Sequence, residues 1–168
     1  YEKDTLISDV QATHDGMELA LGIKDAVHYR HDLFVKEIVI ENRSERDREI
    51  RLFFTHDFSI DESDIGDTAL YDLASDAVFH YKRDRYFVMS GNTGREGIYE
   101  YATGTKRFAG AEGTWRDAED GRLEGNPIAQ GSVDSCISFR LNIDAHSRRT
   151  LHYWIAVGRD FEDVRRLH

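Results

Sequence analysis

One pattern constrains this chain more than any other. Apolar and polar residues alternate with a period of two along most of it, and a single proline, Pro127, interrupts the run. Thr, Ile, Val, Tyr and Phe fill the alternating positions, which favours strands over helices. Strands are expected over 6–13 and 17–28, flanking His14-Asp15-Gly16, where Asp-Gly is expected to take the left-handed turn of a tight hairpin. Met17, Leu19, Leu21 and Ile23 then share one face. The stretch 33–42 sends Phe34, Ile38 and Ile40 to one side and Glu37 and Glu41 to the other. After a polar turn over 43–47, the stretch 48–58 does the same with Ile50, Leu52, Phe54 and Phe58.

Shorter strands are expected over 68–71, 77–82, 85–90 and 99–107. The Gly-rich stretch 108–131, which holds Trp115 and Pro127, shows no period and is expected to be a long structured loop. Alternation returns over 135–143, with Ile137, Phe139, Leu141 and Ile143 on one face, and over 150–157, with Leu151, Tyr153, Ile155 and Val157. Asp160 reads as a helix N-cap, and Phe161, Val164 and Leu167 follow at helical spacing. A helix this short is marginal alone, so its stripe must pack on this domain or on a continuation. The expectation is an all-β fold: an antiparallel β-sandwich over 1–158, followed over 159–168 by a short C-terminal helix that starts a linker.

A chain of 168 residues with 40% hydrophobic content has room for one real core. The formal charge of −10 argues against nucleic acid and anionic membranes as partners, and no apolar run is long enough to span a bilayer. One cysteine, Cys136, cannot close an internal disulfide. Tyr1 stands where Met is usual, and the first residues carry no secretory signal, which points to the cytoplasm and to a piece of a longer protein.

Several constellations invite chemistry. Asp57, Asp61, Glu62, Asp64 and Asp67 are dense, yet they miss the spacing of a calcium loop, so a solvated acidic loop is expected and no metal. Asp117, Glu119 and Asp120 read as turn formers. His28 and His31 have no third ligand nearby; His56, on an apolar strand face, reads as a hydrogen-bonded core or half-buried histidine, with His80 and His152 as similar cases. Cys136 sits mid-strand and reads as an inert packing thiol. No nucleophile elbow and no phosphate-binding loop is present, so no cofactor is expected. Trp115, Tyr99, Tyr101 and Tyr71 could form a sugar-stacking platform, but burial beneath the long loop is the expected arrangement.

The segment from Gly113 to Ser135, GTWRDAEDGRLEGNPIAQGSVDS, carries a resemblance. It is similar to the N-terminal β-sandwich domain of prokaryotic glycoside hydrolase family 15 enzymes, the glucoamylase, glucodextranase and trehalase group. FVKEIVIENRS from Phe34, RLFFTHDF from Arg51, DIGDT from Asp64 and YWIAVG from Tyr153 agree with it. The resemblance implies a supersandwich like that of galactose mutarotase, lacking its first strands here and placed before an (α/α)6 barrel that hydrolyses α-glucosidic bonds. The family's two catalytic glutamates belong to that barrel, and no residue of this chain matches them. The chain is therefore expected to be a non-catalytic domain that packs on and stabilises the barrel, its intramolecular partner. Trp115, Arg116, Asp117, Asn126 and Gln130 are the candidate interdomain or sugar contacts. The competing readings are a module that binds α-glucan or an oligosaccharide, and a mutarotase-like epimerase with a His and a Glu as acid and base.

Overall fold

The period-two pattern becomes two antiparallel sheets in the computed structural model, which describes residues 3, 5–107 and 109–168. Eleven strands are present among the described residues: β1 (Val10–His14), β2 (Leu19–Val27), β3 (Leu33–Asn42), β4 (Arg48–His56), β5 (Asp67–Asp72), β6 (Ala77–Lys82), β7 (Arg85–Asn92), β8 (Glu100–Thr105), β9 (Ile128–Gly131), β10 (Val133–Ile143) and β11 (Arg148–Gly158). Eight of them form one sheet in the order β1-β2-β3-β11-β7-β6-β5-β9, and β4-β10-β8 form the other.

The core lies between the sheets, where the alternation placed it. Ile38, Ile40, Val78, Met89 and Leu151 from the large sheet meet Ile137, Phe139, Leu141 and Ile143 from the small one. Phe54 stacks on Tyr153 with ring centres 4.4 Å apart and stands edge-on to Phe139 at 5.6 Å. Gly91 on β7 is required by close approach: a Cβ there would stand 2.7 Å from both the Phe139 ring and the His152 carbonyl. The strand β10 is buried on both faces over most of its length, because the long loop covers its outer side.

The C-terminal helix α1 (Phe161–Leu167) is capped as its sequence indicates, the Asp160 carboxylate accepting the Asp163 N–H at 2.8 Å. Its stripe packs on the outer face of the large sheet: Val164 is fully buried among Ala77, Phe79, Val88 and Ala156, and Phe161 stacks on Phe79. Trp154 Nε1 donates to His168 Nδ1 at 3.0 Å, and the other ring nitrogen of His168 meets the Ser75 carbonyl at 2.8 Å.

Three local expectations change. The first hairpin turns through a single 3-10 turn, Asp15–Met17, and Glu18 rather than Gly16 adopts the left-handed conformation, at φ 53°. The His14 ring accepts the Met17 N–H and stabilises that turn, which leaves Met17 outside the strand and half-exposed. Of the stretch 108–131, Phe108 lies outside the described residues, and the last four residues form β9, paired with β5 from Asp67↔Gly131 to Leu70↔Ile128. Four residues are too few for alternation to show.

Candidate functional site

The acidic stretch is the first candidate: Asp57, Asp61 and Glu62 are exposed, as its composition suggests, but buried lysines neutralise it from beneath. Lys82 and Lys106, both nearly fully buried, reach up into it from β6 and from the end of β8. The Lys82 ammonium donates to the carbonyls of Ile60 at 2.9 Å and Ser63 at 3.0 Å and stands 3.2 Å from the buried Asp67 carboxylate. That of Lys106 donates to the Phe58 carbonyl at 2.9 Å and to Asp57. Arg107 closes the outside, 3.0 Å from Asp57 and 3.3 Å from Asp64. The Ser59 hydroxyl, then the charges of Lys106 and Arg107, hold the Asp64 carboxyl below the usual carboxylate range. Carbonyls and carboxylates that could have ligated a cation are thus gathered around two ammonium groups. Asp61 and Glu62 accept left-handed backbone, at φ 56° and 55°, to make the wrap.

The second candidate is a chain of polar groups inside the core. His56 Nε2 lies 2.8 Å from the Tyr153 hydroxyl, His56 Nδ1 lies 3.0 Å from Ser135 Oγ, and His80 Nε2 lies 2.8 Å from the same oxygen. All four residues are buried. The lone Ser135 hydroxyl proton can go to only one ring, so the chain runs in one direction from Tyr153 to His80 or back. Burial lowers both histidines to about 3, with the neighbouring charge of Lys106 adding to the effect at His80. A serine between two histidines looks like catalytic equipment, but it is buried, and among the described residues no carboxylate hydrogen-bonds either ring. It holds β4, β6, β10 and β11 together. Cys136, on the other face of β10, is also buried, which pushes its thiol up to about 12 and leaves it unreactive.

His152 corrects an expectation. It is exposed on the outer face of β11, 3.3 Å from Glu37, and His146 pairs with Glu45 at 3.1 Å in a turn. These acid and base pairs stand in open solvent rather than in a cleft.

The third candidate is the long loop. Asp134 organises it: its carboxylate accepts the Thr114 N–H at 2.7 Å, and burial raises its proton affinity. Gly113 is required beside it, at φ 107° with the space for a Cβ taken by Asp134 Oδ2. Leu123 and Ala118 then cover Phe53, Ala102 and Cys136. Contrary to expectation Trp115 is not buried but 47% exposed, its indole N–H donating to the Glu112 carbonyl at 2.8 Å and the Arg116 guanidinium over its ring at 5.0 Å. Arg116 also pairs with Glu112 and Glu119. Asp117 accepts the Glu124 N–H at 2.8 Å, the turn-forming role its sequence suggests. Asn126 is a strut, its amide donating to the Thr103 carbonyl at 2.7 Å while its own carbonyl accepts the Thr103 N–H at 2.9 Å. Gln130 opens onto a groove of about 490 Å³ that it shares with Asp64, Ile65 and Arg107. Trp115 and Arg116 are brought together, but no hydrogen bond or ion pair joins them to Asn126 or Gln130 among the described residues.

The platform of tyrosines is likewise divided. Tyr71 and Tyr101 stack on one another at 3.6 Å, half-buried between the sheets, and Tyr99 lies between the guanidinium groups of Arg51 at 5.2 Å and Arg140 at 4.1 Å. Of these four aromatic residues, Trp115 alone is exposed.

With this geometry in place, the fold has clear counterparts. A bacterial glucoamylase solved with acarbose superposes with a TM-score of 0.70 over 98% of this chain and 24% of its own, at 12% identity. This chain has the fold of part of a glucoamylase. A protein described as a kojibiose phosphorylase from the human microbiome superposes with a TM-score of 0.52 over 95% of this chain and 19% of its own, at 10% identity. The chain thus spans about a quarter or less of the length of these two enzymes. No protein-family model matches the sequence, and no curated protein does.

Proposed function

We propose that this chain is the non-catalytic N-terminal β-sandwich domain of a glucoamylase-like glycoside hydrolase of family 15, and that it packs on and stabilises an (α/α)6 barrel that cleaves α-glucosidic bonds. The fold shared with the bacterial glucoamylase over 98% of the chain carries this reading. The internal use of the acid and base groups supports it: two histidines are locked in the core, and Asp57 and Asp64 are held by Lys106 and Arg107. Since α1 uses its apolar stripe on its own sheet, the barrel contact falls to the long-loop side, where Trp115 and Ile128 are exposed. Comparing the parent enzyme with its barrel alone tests the proposal. The barrel alone is expected to lose several degrees of Tm or its solubility, and a barrel equally stable and active without this domain overturns it.

The exposed Trp115 favours one second reading, a sugar-binding module. Titrating maltooligosaccharides while following tryptophan fluorescence separates the two. A saturable change that Trp115→Ala removes favours the module, and a flat trace at millimolar sugar favours the packing domain.

A further inference from the structure

The pairing of β8 with β10 ends at Ser138↔Glu100, so among the described residues no strand lies beside Arg140, Leu141 and Asn142 on that side. The loop between β7 and β8 stands there instead. Thr93 holds it in shape: its N–H donates to the Glu96 carbonyl at 2.9 Å, and its hydroxyl accepts the Glu96 N–H at 3.1 Å. Loop and strands enclose a cavity of about 70 Å³. Arg95 and Glu96 line it from the loop, Arg140 and Asn142 from β10, and Arg149 from β11.

The chain as a whole carries a formal charge of −10, yet three guanidiniums and one carboxylate meet at this cavity. Their donors are only partly used. Arg140 gives one nitrogen to Glu96, 3.2 Å from both carboxylate oxygens, and lies over the Tyr99 ring at 4.1 Å. Its Nε is buried and has no acceptor among the described residues. Arg149 donates to the Arg148 carbonyl at 3.3 Å and stands 3.6 Å from Asp144, past hydrogen-bond distance. Arg95 is exposed and has no hydrogen bond or ion pair among the described residues. Glu49, the other carboxylate that acts on Arg140, is paired with Arg51 at 2.9 Å. Guanidinium groups gathered in this way, with donors to spare, are the chemistry that recognises an oxyanion.

We infer that this cavity binds a phosphate group, free or at the end of a small ester. Three guanidiniums against Glu96 leave an excess of two positive charges at the lining, and a phosphate group carries about −1.5 to −2 at neutral pH. Asp144 is 69% exposed, so water screens its share of the balance. Arg95, Arg140 and Arg149 stand on three separate elements and approach from different directions. The tetrahedral oxygens of phosphate can meet all three, whereas the two oxygens of a carboxylate lie in one plane and suit a single guanidinium fork. Size points the same way, since about 70 Å³ is far below the roughly 300 Å³ or more of pockets that enclose larger organic ligands. The site is built from this chain's own residues and does not rest on the proposed function.

Calorimetric titration of the full-length polypeptide with inorganic phosphate at low ionic strength tests this. Saturable binding is expected, weakened about tenfold or more by Arg95→Gln and by Arg149→Gln. Arg30→Gln, in the turn at the opposite end of β3, is expected to leave it unchanged. Arg95 has no partner within the chain to lose, so its substitution reads the charge at the cavity and not the folding of the domain. A hexose phosphate titrated in parallel separates the two sources: tighter binding of the ester assigns the site to a phosphorylated sugar, and tighter binding of the free ion assigns it to inorganic phosphate. Absence of saturation at millimolar phosphate overturns the inference. So does binding that both cavity variants leave intact, which would place the ion elsewhere on the polypeptide, and so does equal affinity for acetate. None of these readouts involves hydrolysis, and the fate of the proposed function leaves them standing.

Discussion

The small sheet has two edges, and the chain treats them differently. On the β8 side the long loop folds back and completes the strand: Gly125 donates to the Tyr101 carbonyl and Thr103 to the Asn126 carbonyl, each at 2.9 Å. On the β4 side no such return exists among the described residues, and apolar side chains stand beside unpaired backbone. The difference teaches what the long loop is for. Its aperiodic sequence reads as a long structured loop, and what it structures is an edge, closed, with Phe53, Ala102 and Cys136 buried beneath it. The opposite edge keeps unpaired backbone among the described residues.

Acid should perturb this comparison most. His56 and His80 bind protons near 6.5 when unfolded and only at about 3 when folded. Their contribution is therefore complete above about pH 6.5 and is lost as pH falls toward 3, at about 1.4 kcal/mol per pH unit for each ring. Urea unfolding of the 168-residue chain between pH 7.5 and 4.5 should show that loss, with β4 amides exchanging before those of β8; a flat profile would mean that the rings are not held neutral. Next comes Gly113→Val, which forces a branched side chain into left-handed backbone against Asp134, at a cost of about 3 kcal/mol in the same assay. A cost below about 1 kcal/mol would show that the loop closes the β8 edge without that turn. Asn126→Ala removes one bond to Thr103 and should cost about 1 kcal/mol, with exchange rising locally along β8. The smallest effect belongs to Val27→Lys on the open side: within about 0.5 kcal/mol in the 168-residue chain, because Val27 is 74% exposed at the end of β2. A large loss there would show that this end of the strand is covered.

How much of this was legible depends on the range of the interaction that decided it. The strands β6, β7, β10 and β11 and the cap at Asp160 follow from alternation and local hydrogen bonding, and they lie within a few residues of where the sequence places them. The left-handed residue of the first turn fell on Glu18 because a bond from Met17 to the His14 ring competes with the Asp-Gly preference. Among the candidate contacts, Asn126 and Asp117 turned out to hold the loop itself, while Trp115 stayed outside it. The lysines beneath the acidic stretch were not legible for a related reason. Its neutralising partners, Lys82 and Lys106, lie on strands that follow it by some tens of residues, and no spacing rule within the stretch could announce them.

The sequence by itself determined that this protein is an antiparallel β fold with a capped terminal helix, because side-chain alternation and capping are local and the pleat leaves them one reading. Only the tertiary structure decided which faces remain free. Three strands stand over eight, two lysines fill the acidic loop, and the histidine that shares a strand face with Phe54 ends up inside a hydrogen-bonded chain with Ser135 and Tyr153. Those outcomes depend on which distant strands come to lie opposite one another, and burial, pairing and exposure are properties of that arrangement rather than of any stretch of residues.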